Sequence, residues 1–311
     1  MGAEAREPAR PGRTAAVVVH YRCLEETLAC LESLERHAPA LEVFLVENGS
    51  RDGSRKALEE AASAKAGLHL VFSGENRGFG GGCNLGIEAA LEKRPDLEFL
   101  LLLNPDCLAE RGFLEALEET ARRRRAAITG AKILSADGER ILYENGRIRP
   151  LTLAGSHAPA PEGMEEYETE FITGACMLVD AAFLRGGLRF DEEYFLYVED
   201  MDFCLRARAM GGRLWVTRRA RIRHALGGSQ REDEIVPGGM RRKEIYFLAR
   251  NKVRLARKWF TPGRRAAFLA VAFLLKPPAG ALRFGSLRFL GPYFRGLLDG
   301  LAGRPSRAGG L

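Results

Sequence analysis

Residues 99–106 are Phe99-Leu100-Leu101-Leu102-Leu103-Asn104-Pro105-Asp106, and this stretch decides the fold of the 311-residue chain. A leucine-rich run closed by an Asn-Pro turn predicts a short buried strand. The carboxylate of Asp106 follows at the carboxyl end of that strand. Ligands of open α/β sheets bind beyond the carboxyl ends of the strands, so a functional site is expected here.

Similar runs on both sides of this stretch alternate with helical patterns. Leu24, Leu28, Leu31 and Leu34, for example, recur at helical spacing. Strands are predicted at residues 14–19, 41–46, 68–73, 99–103 and 126–133. This alternation indicates βαβ units and an α/β fold with a mostly parallel central sheet.

The second half of the sequence changes character twice. Residues 137–170 are rich in Gly, Pro and Glu and predict a hairpin and a mobile loop. After them we predict a strand at 171–179, a helix at 199–210 closed by Gly211-Gly212, and short strands at 213–217 and 220–224.

Composition limits the classes of partner and compartment but does not identify the function. The chain has 47 Lys+Arg against 41 Asp+Glu, a net charge of +6 that suits a nucleic acid, an anionic membrane or a phosphorylated substrate. Its six cysteines form no Cys-x-x-Cys pair, which argues against a zinc ribbon or a disulfide framework and favours a reducing cytoplasm. The most apolar run, 266–275, stops at Lys276-Pro277-Pro278, so no membrane-spanning helix is predicted.

Polar loops follow the second and third predicted strands. Residues 47–54 form a polar turn that ends in a helix cap, and turn chemistry alone could explain them. Residues 75–86 carry several glycines into a helix start, where backbone N–H groups could meet a phosphate. Their spacing fits neither a Walker loop nor a dinucleotide fingerprint.

Carboxylates form the densest candidate site. Asp106 is placed either to bind a hard metal ion or to cap the next helix. Glu199, Asp200 and Asp202 begin a helix whose dipole would stabilise them, but their aromatic neighbours would raise a carboxyl pKa and favour a general base. His224 closes a strand and is either structural or a metal ligand.

Together these segments resemble family 2 glycosyltransferases, in particular the bacterial rhamnosyltransferase-like branch with a GT-A fold. The resemblance covers residues 15–251. Its marks are Val17-Val18-Val19-His20-Tyr21, Val46-Glu47-Asn48-Gly49-Ser50, Asn76-Arg77-Gly78-Phe79-Gly80-Gly81-Gly82-Cys83-Asn84, Leu103-Asn104-Pro105-Asp106, Thr173-Gly174-Ala175-Cys176-Met177, Phe190-Asp191-Glu192, Glu199-Asp200-Met201-Asp202 and His224.

The resemblance implies a role for each matched residue. Asp200 corresponds to the catalytic base, with Glu199 and Asp202 as second candidates. Asp106 and His224 would hold a divalent metal, Mg²⁺ or Mn²⁺. The implied donor-binding residues are Glu47, Asn48, Asn76, Arg77, Gly78, Asn84 and Asn104. Two positions depart from the family pattern, since Glu47 stands where Asp is usual and Asn104 replaces the first acid of the common Asp-x-Asp.

The implied function is that of an inverting, metal-dependent hexosyltransferase of cell-wall or polysaccharide biosynthesis. It would move a sugar, with rhamnose favoured by the branch, from a nucleoside-diphosphate donor to a saccharide or lipid-linked acceptor. The implied organisation is a disordered lead-in (1–13), a GT-A catalytic domain (14–236) and a basic amphipathic helical extension (237–311). Within the catalytic domain, residues 14–133 would form the nucleotide-binding half and 171–236 the acceptor and catalytic half.

The extension also predicts a location. We expect it to seat a cytoplasmic enzyme peripherally on the cytoplasmic face of an anionic membrane, by an interfacial mode. Its expected apolar surface comprises Phe268, Leu269, Val271, Phe273 and Leu274. The basic residues interspersed with it are Arg264, Arg265, Lys276, Arg283, Arg288 and Arg295.

Three alternatives remain open at this point. A sugar nucleotidyltransferase would carry a Gly-rich, basic loop after the first strand, where this chain has His20-Tyr21-Arg22-Cys23-Leu24. A nucleic-acid-binding protein would leave the acidic cluster unexplained, so no nucleic-acid partner is predicted. A non-catalytic carbohydrate-binding protein would have little reason to keep both Asp106 and Asp200.

Overall fold

The structure is a computed structural model that describes residues 12–153, 155–225 and 241–305. Most of the predicted lead-in, and the glycines that follow His224, lie outside the described residues. The strands are β1 (Thr14–His20), β2 (Glu42–Glu47), β3 (Leu68–Phe72), β4 (Phe99–Leu103), β5 (Cys107–Ala109), β6 (Ile128–Ser135), β7 (Ile141–Tyr143), β8 (Gly146–Ile148), β9 (Gly155–His157), β10 (Glu166–Glu168), β11 (Cys176–Asp180) and β12 (Leu214–His224).

The helices follow the predicted alternation in the first half of the chain. They are α1 (Leu24–His37), α2 (Ser54–Ala64), α3 (Gly78–Lys93), α4 (Phe113–Arg124), α5 (Ala181–Arg185), α6 (Glu199–Ala209), α7 (Arg242–Trp259), α8 (Pro262–Ala270), α9 (Lys276–Phe284) and α10 (Leu290–Ala302). A 3₁₀ turn (Glu192–Tyr194) precedes α6, and a π-helical turn (Val271–Leu275) joins α8 to α9.

The central sheet has the order β10-β12-β6-β11-β4-β1-β2-β3. Strands β3, β2, β1 and β4 run parallel to one another, and β6 runs parallel to β12. Strand β11 runs antiparallel between β4 and β6. The carboxyl ends of the parallel strands therefore meet at one edge, and the predicted α/β fold with a mostly parallel central sheet and a C-terminal helical extension is confirmed.

Glycine explains how closely α3 packs on this sheet. A Cβ atom on Gly86 would lie 2.4 Å from Val17 Cγ1, and one on Gly82 would lie 2.6 Å from Val19 Cγ1. Both glycines are buried inside the helix. Helix α3 therefore lies directly against β1, and its N-terminus is held at the carboxyl edge of the sheet.

Two strand predictions in the second half are wrong. The strand predicted at 171–179 begins only at Cys176, because residues 173–175 form a loop at the sheet edge. The two strands predicted at 213–217 and 220–224 are one strand, β12, with a register shift between Thr217 and Arg221. Beyond that shift β12 pairs with β5, and this pairing sets His224 opposite Cys107.

The C-terminal helices form a layer anchored through α7. Tyr246 of α7 donates a hydrogen bond to Asp299 Oδ2 of α10 at 2.9 Å. Arg257 donates to the carbonyl oxygens of Gly300 and Leu301. These bonds tie α10 to α7, which in turn contacts the loop before α6 through Asn251.

The helical chain does not stop at Lys276-Pro277-Pro278, contrary to expectation. The prolines lie in the first turn of α9, where a missing N–H is tolerated, and the π-helical turn precedes them. By length and composition Pro262–Leu282 is the one helical segment, among the described residues, that could cross a membrane.

Candidate active site

Two side chains predicted to bind metal meet at the sheet edge. Asp106 follows β4 and His224 ends β12, and their Oδ1 and Nε2 atoms lie 2.9 Å apart. Both are largely buried, with 9% and 13% of the side chain exposed. Asp106 leads into β5 and not into a helix, so the alternative that it caps the next helix is wrong.

The donor set of this pair fits a divalent ion. Neighbouring ligands of an octahedral ion at about 2.1 Å lie about 3 Å apart, close to the observed separation. Cys107 lies within reach of the same point, but burial raises the pKa of its thiol well above the ordinary value and keeps it neutral. One carboxylate and one imidazole suit an ion that accepts oxygen and nitrogen ligands, such as Mn²⁺.

Residues 173–175 connect this pair to the acidic cluster. The carbonyl oxygen of Ala175 accepts a hydrogen bond from the backbone N–H of Asn104 at 3.1 Å. The backbone N–H of Gly174 donates to Asp200 Oδ2 at 3.2 Å. Asp200 and Asn104, which precedes Asp106 by two residues, therefore contact the same short loop.

At the start of α6, Glu199 is buried and the adjacent Asp200 is half-buried. Burial raises the pKa of Asp200 above its ordinary value. Burial, reinforced by the charge of Asp200, raises the pKa of Glu199 to about 8. The raised pKa of Glu199 favours its protonated form at neutral pH. The raised pKa of Asp200 strengthens its affinity for a proton, as suits a general base.

The loop that presents these acids is conformationally strained. Phe195, Tyr197 and Val198 all have φ between +64° and +74°, a region that residues with side chains rarely adopt. The amide Nδ2 of the buried Asn251 lies 2.8–2.9 Å from the carbonyl oxygens of Tyr194, Leu196 and Tyr197. Asn251 therefore holds the loop from the side of α7.

Asp202 differs from its neighbours because its carboxylate is fully engaged. It is 0% exposed and accepts hydrogen bonds from Lys258 Nζ at 2.7 Å, Trp259 Nε1 at 2.7 Å and Arg206 Nε at 2.9 Å. Arg206 lies one helical turn after Asp202, and the two side chains form an ion pair. With these partners Asp202 joins α6 to α7, and it has little capacity left for an acceptor hydroxyl.

We predict that Asp202→Asn lowers stability more than it lowers turnover. The amide would turn an N–H₂ group toward cationic donors. Breaking a buried ion pair costs about 3 kcal/mol or more. The cost is lower here because Lys258 and Arg206 are partly exposed. Urea unfolding should register a loss of about 2 kcal/mol. Unchanged stability with complete loss of turnover would instead place Asp202 in the chemistry.

The residues predicted to bind the donor line the neighbouring strand ends. Asn48 Nδ2 donates to the Gly78 carbonyl oxygen at 3.0 Å, and Asn48 Oδ1 accepts from the N–H of Arg77. Asn76 Oδ1 accepts from the N–H of Gly78. The buried Glu47 accepts from the Ser50 N–H at 2.6 Å.

The glycine-rich segment differs from the open phosphate-binding loop that the sequence suggested. Its glycines lie inside α3, and the N–H groups of Arg77, Gly78 and Phe79 already donate within the protein. A Cβ on Gly78 would lie 2.0 Å from the Phe195 carbonyl oxygen, so glycine is needed for contact with the strained loop. Donor binding by Asn76, Arg77 and Gly78 stays a prediction. Since their neighbouring backbone N–H groups are engaged, side chains would have to make the contacts.

Two further predicted donor residues have different surroundings. Asn84 is buried and exchanges hydrogen bonds with the backbone of Phe190, at 2.9 Å and 3.0 Å. Asn104 Oδ1, after β4, is buried without a hydrogen-bond partner in the described part of the chain. A polar atom left in this state beside Asp106 is expected to gain a partner when a ligand binds.

Sequence reasoning gave no role to three residues that the structure places at this site. Gly174 supplies a backbone donor to Asp200, and Asn251 holds the strained loop. His157 of β9 acts on Asp200 electrostatically and lowers its pKa, against the effect of burial. The Thr173-Gly174-Ala175 motif pointed to Gly174, whereas no sequence pattern identified Asn251 or His157.

Comparisons with known proteins identify the family of this chain. The model of the family described as glycosyl transferase family 2 matches residues 15–186, more than half of the chain. Over 204 residues the chain is 32% identical to N-acetylglucosaminyl-diphospho-decaprenol L-rhamnosyltransferase of Mycobacterium tuberculosis, covering 58% of this chain and 64% of the relative. It is 27% identical over 198 residues to the low-salt glycan biosynthesis hexosyltransferase Agl10 of Haloferax volcanii, covering 62% and 60%. The matches thus span less than two thirds of either relative.

Solved structures share the fold at low identity. GalNAc-T7 with UDP, GalNAc and Mn²⁺ superposes with a TM-score of 0.67 at 15% identity, covering 90% of this chain and 54% of that one. The mannosyltransferase PcManGT of Pyrobaculum calidifontis, in complex with GDP-Man and Mn²⁺, superposes with a TM-score of 0.58 at 16% identity, covering 96% and 90%. The predicted GT-A fold is therefore confirmed, and the similarity to rhamnosyltransferase-like proteins holds at moderate identity. By its family match and its fold, the chain belongs to glycosyl transferase family 2.

Proposed function

We propose that the chain is an inverting glycosyltransferase that uses a nucleoside-diphosphate sugar. The observation that carries this proposal is the link from Asp200 through Gly174 and Ala175 to Asn104, next to the Asp106 and His224 pair. In this proposal one loop connects the general base to the metal-binding pair. A single displacement needs both, because a proton must leave the acceptor while charge develops on the leaving diphosphate.

Each residue has a defined part in this proposal. Asp200 takes the proton of the acceptor hydroxyl, and Gly174 and Asn251 keep its carboxylate and its loop in position. Asp106 and His224 would hold a divalent ion, which when bound would neutralise charge on the diphosphate. Glu47, Asn48, Asn76 and Arg77 remain the proposed contacts of the nucleoside and ribose.

The finer assignments rest on the relatives. The L-rhamnosyltransferase relative supports a rhamnosyl donor and a lipid-linked saccharide acceptor. Thymidine diphosphate as the nucleotide of the donor rests on the family resemblance alone. The Mn²⁺ in two structures of the same fold supports Mn²⁺ or Mg²⁺ as the ion. A role in cell-wall or polysaccharide assembly is proposed on the same grounds.

The alternatives fit less well. In place of a basic nucleotidyltransferase loop, the end of β1 has His20, which is 0% exposed and bonded to Thr27 and Ser54. The net charge of +6 suggested nucleic acid, but basic side chains of α7 bond within the protein. Arg250 donates to the Glu193 and Arg304 carbonyl oxygens, and Lys258 donates to Asp202.

A thermal-shift screen of nucleotide sugars tests the proposed function. A ligand that binds only the folded state raises the melting temperature, so a nucleoside-diphosphate hexose with Mn²⁺ or Mg²⁺ should stabilise the protein. Thymidine-diphosphate rhamnose is the first to try. If no nucleoside-diphosphate sugar stabilises the protein with either ion, the proposed function is wrong.

We also propose that the enzyme works peripherally on the cytoplasmic face of a membrane. All six cysteines are unpaired and buried, as suits a reducing compartment. Phe268, expected on the membrane side, is instead buried against Phe260. The most exposed large apolar side chains of this layer, each 62–86% exposed, are Leu274, Leu275, Leu282 and Leu287. One face of the layer thus packs on the protein and another is free to enter an interface.

Replacing two of these leucines should weaken membrane binding. Burial of one leucine is worth about 2 kcal/mol, so Leu274→Gln with Leu282→Gln should lower partition to anionic vesicles at least tenfold. Ile141→Gln, an exposed apolar position on β7, is the matched control. Equal binding by all three proteins in vesicle co-sedimentation would contradict the interfacial mode.

A further inference from the structure

A cavity of about 320 Å³ lies between the C-terminal helices, apart from the Asp106 and Asp200 site. Its size falls at the lower end of the range for small-molecule sites. The wall is largely apolar and includes Ile245, Phe268, Phe289 and Leu297. Two charged residues, Lys252 of α7 and Lys276 of α9, interrupt this wall.

The two lysines lack anionic partners. Within residues 12–153, 155–225 and 241–305 neither forms a salt bridge, and Lys276 Nζ has only a 3.4 Å hydrogen bond to the Thr152 carbonyl oxygen. Burial and then the charge of Lys276 lower the pKa of Lys252 to about 8, so Lys252 is still mainly cationic at neutral pH. Two uncompensated cations in an apolar cavity are unfavourable until an anion enters.

The cavity lies beside the acceptor side of the proposed active site. Lys276 contacts Thr152, and a Cβ on Gly155, three residues later, would lie 3.6 Å from the sulfur of Met201. Three extended residues span at most about 10 Å, and Met201 follows Asp200 directly. Lys252 itself follows Asn251, which holds the loop before Glu199. Both lysines are therefore linked to the segment that carries the proposed base, Lys252 through Asn251 and Lys276 through the chain that begins at Thr152.

We propose that this cavity binds the diphosphate end of a polyprenyl-linked acceptor, with Lys252 and Lys276 on the phosphates and the apolar wall around the first isoprenoid units. The proposal rests on the proposed function and names a binding site for its acceptor. The exposed Leu274, Leu275 and Leu282 continue from the cavity wall along the same helical segment. The rest of a polyprenyl chain would leave the cavity along this surface.

Binding of farnesyl diphosphate tests the proposal without requiring turnover. Calorimetry is done on the full chain with EDTA, so that a metal-held diphosphate at Asp106 does not contribute. Loss of one charge-assisted hydrogen bond corresponds to about tenfold in affinity, so Lys252→Gln and Lys276→Gln should each weaken binding about tenfold. Arg at either position should restore it. The matched control is Lys243→Gln on the exposed face of α7, with no expected change.

Competing ligands decide what the cavity selects. Farnesol and inorganic diphosphate should each bind at least tenfold more weakly than farnesyl diphosphate, because each lacks one half of the interaction. Equal binding of farnesol, equal displacement by phosphatidylglycerol, or equal losses in Lys243→Gln and the cavity variants would overturn the proposal. Stabilisation by a nucleotide sugar without selective farnesyl diphosphate binding would refute this site alone and leave the proposed function standing.

Discussion

Asp200→Asn is expected to lower the rate of sugar transfer about a thousandfold while donor affinity stays within twofold of the wild type. General base catalysis contributes about 10²- to 10⁴-fold, and the amide cannot take the acceptor proton. The donor would be held by the residues at the ends of β2 and β4, which the substitution leaves alone. Single-turnover kinetics with a nucleotide sugar, together with donor calorimetry, separates the two effects.

Glu199→Gln is the matched control for this variant. Glu199 is the adjacent carboxyl, and its raised pKa of about 8 keeps it protonated at neutral pH. An amide imitates that neutral form, so turnover should remain within a few-fold of the wild type. Near wild-type turnover in Asp200→Asn, or a large loss in Glu199→Gln alone, would move the base from Asp200 to Glu199.

Asp106→Ala is expected to remove the metal-dependent part of donor affinity. The carboxylate of Asp106 is the proposed oxygen ligand beside His224. Metal sites typically lose affinity 10- to 100-fold even when outer residues are changed. Calorimetry with Mn²⁺ should register a loss on the order of 100-fold.

The same titration with EDTA provides the control for Asp106→Ala. Without a divalent ion the wild type and the variant should bind the donor equally weakly. If the wild type binds the donor with the same affinity in Mn²⁺ and in EDTA, Asp106 has no metal role in donor binding.

The first half of the fold could be predicted because each of its elements has a local signal. Residues 99–103 match β4 at both ends, since a leucine run closed by Asn-Pro leaves little freedom. The segment 171–175 is as apolar as a strand, but tertiary contacts with Asp200 and β4 hold its last residues in a loop. Hydrophobic pattern alone does not distinguish these outcomes.

The site could be predicted as a set of residues and not as an arrangement. The three acids Glu199, Asp200 and Asp202 are close in sequence. What distinguishes Asp202 is that its carboxylate accepts hydrogen bonds from Lys258 and Trp259, more than fifty residues away. The contact of Asn251 with the strained loop is also between residues far apart in sequence, so no local pattern predicts it. The glycines of α3 suggested phosphate binding because packing glycines and phosphate-loop glycines look alike in one sequence.

Product analysis by NMR is the most direct test of an inverting transfer that uses Asp200 as its base. The wild type and Asp200→Asn are each given thymidine-diphosphate rhamnose and a diphosphate-linked N-acetylglucosamine lipid, and the product of each protein is analysed. We expect one nucleoside diphosphate per glycoside formed, an anomeric configuration opposite to that of the donor, and almost no product with Asp200→Asn. A product that retains the donor configuration, or equal product from both proteins, would contradict an inverting transferase with Asp200 as its base.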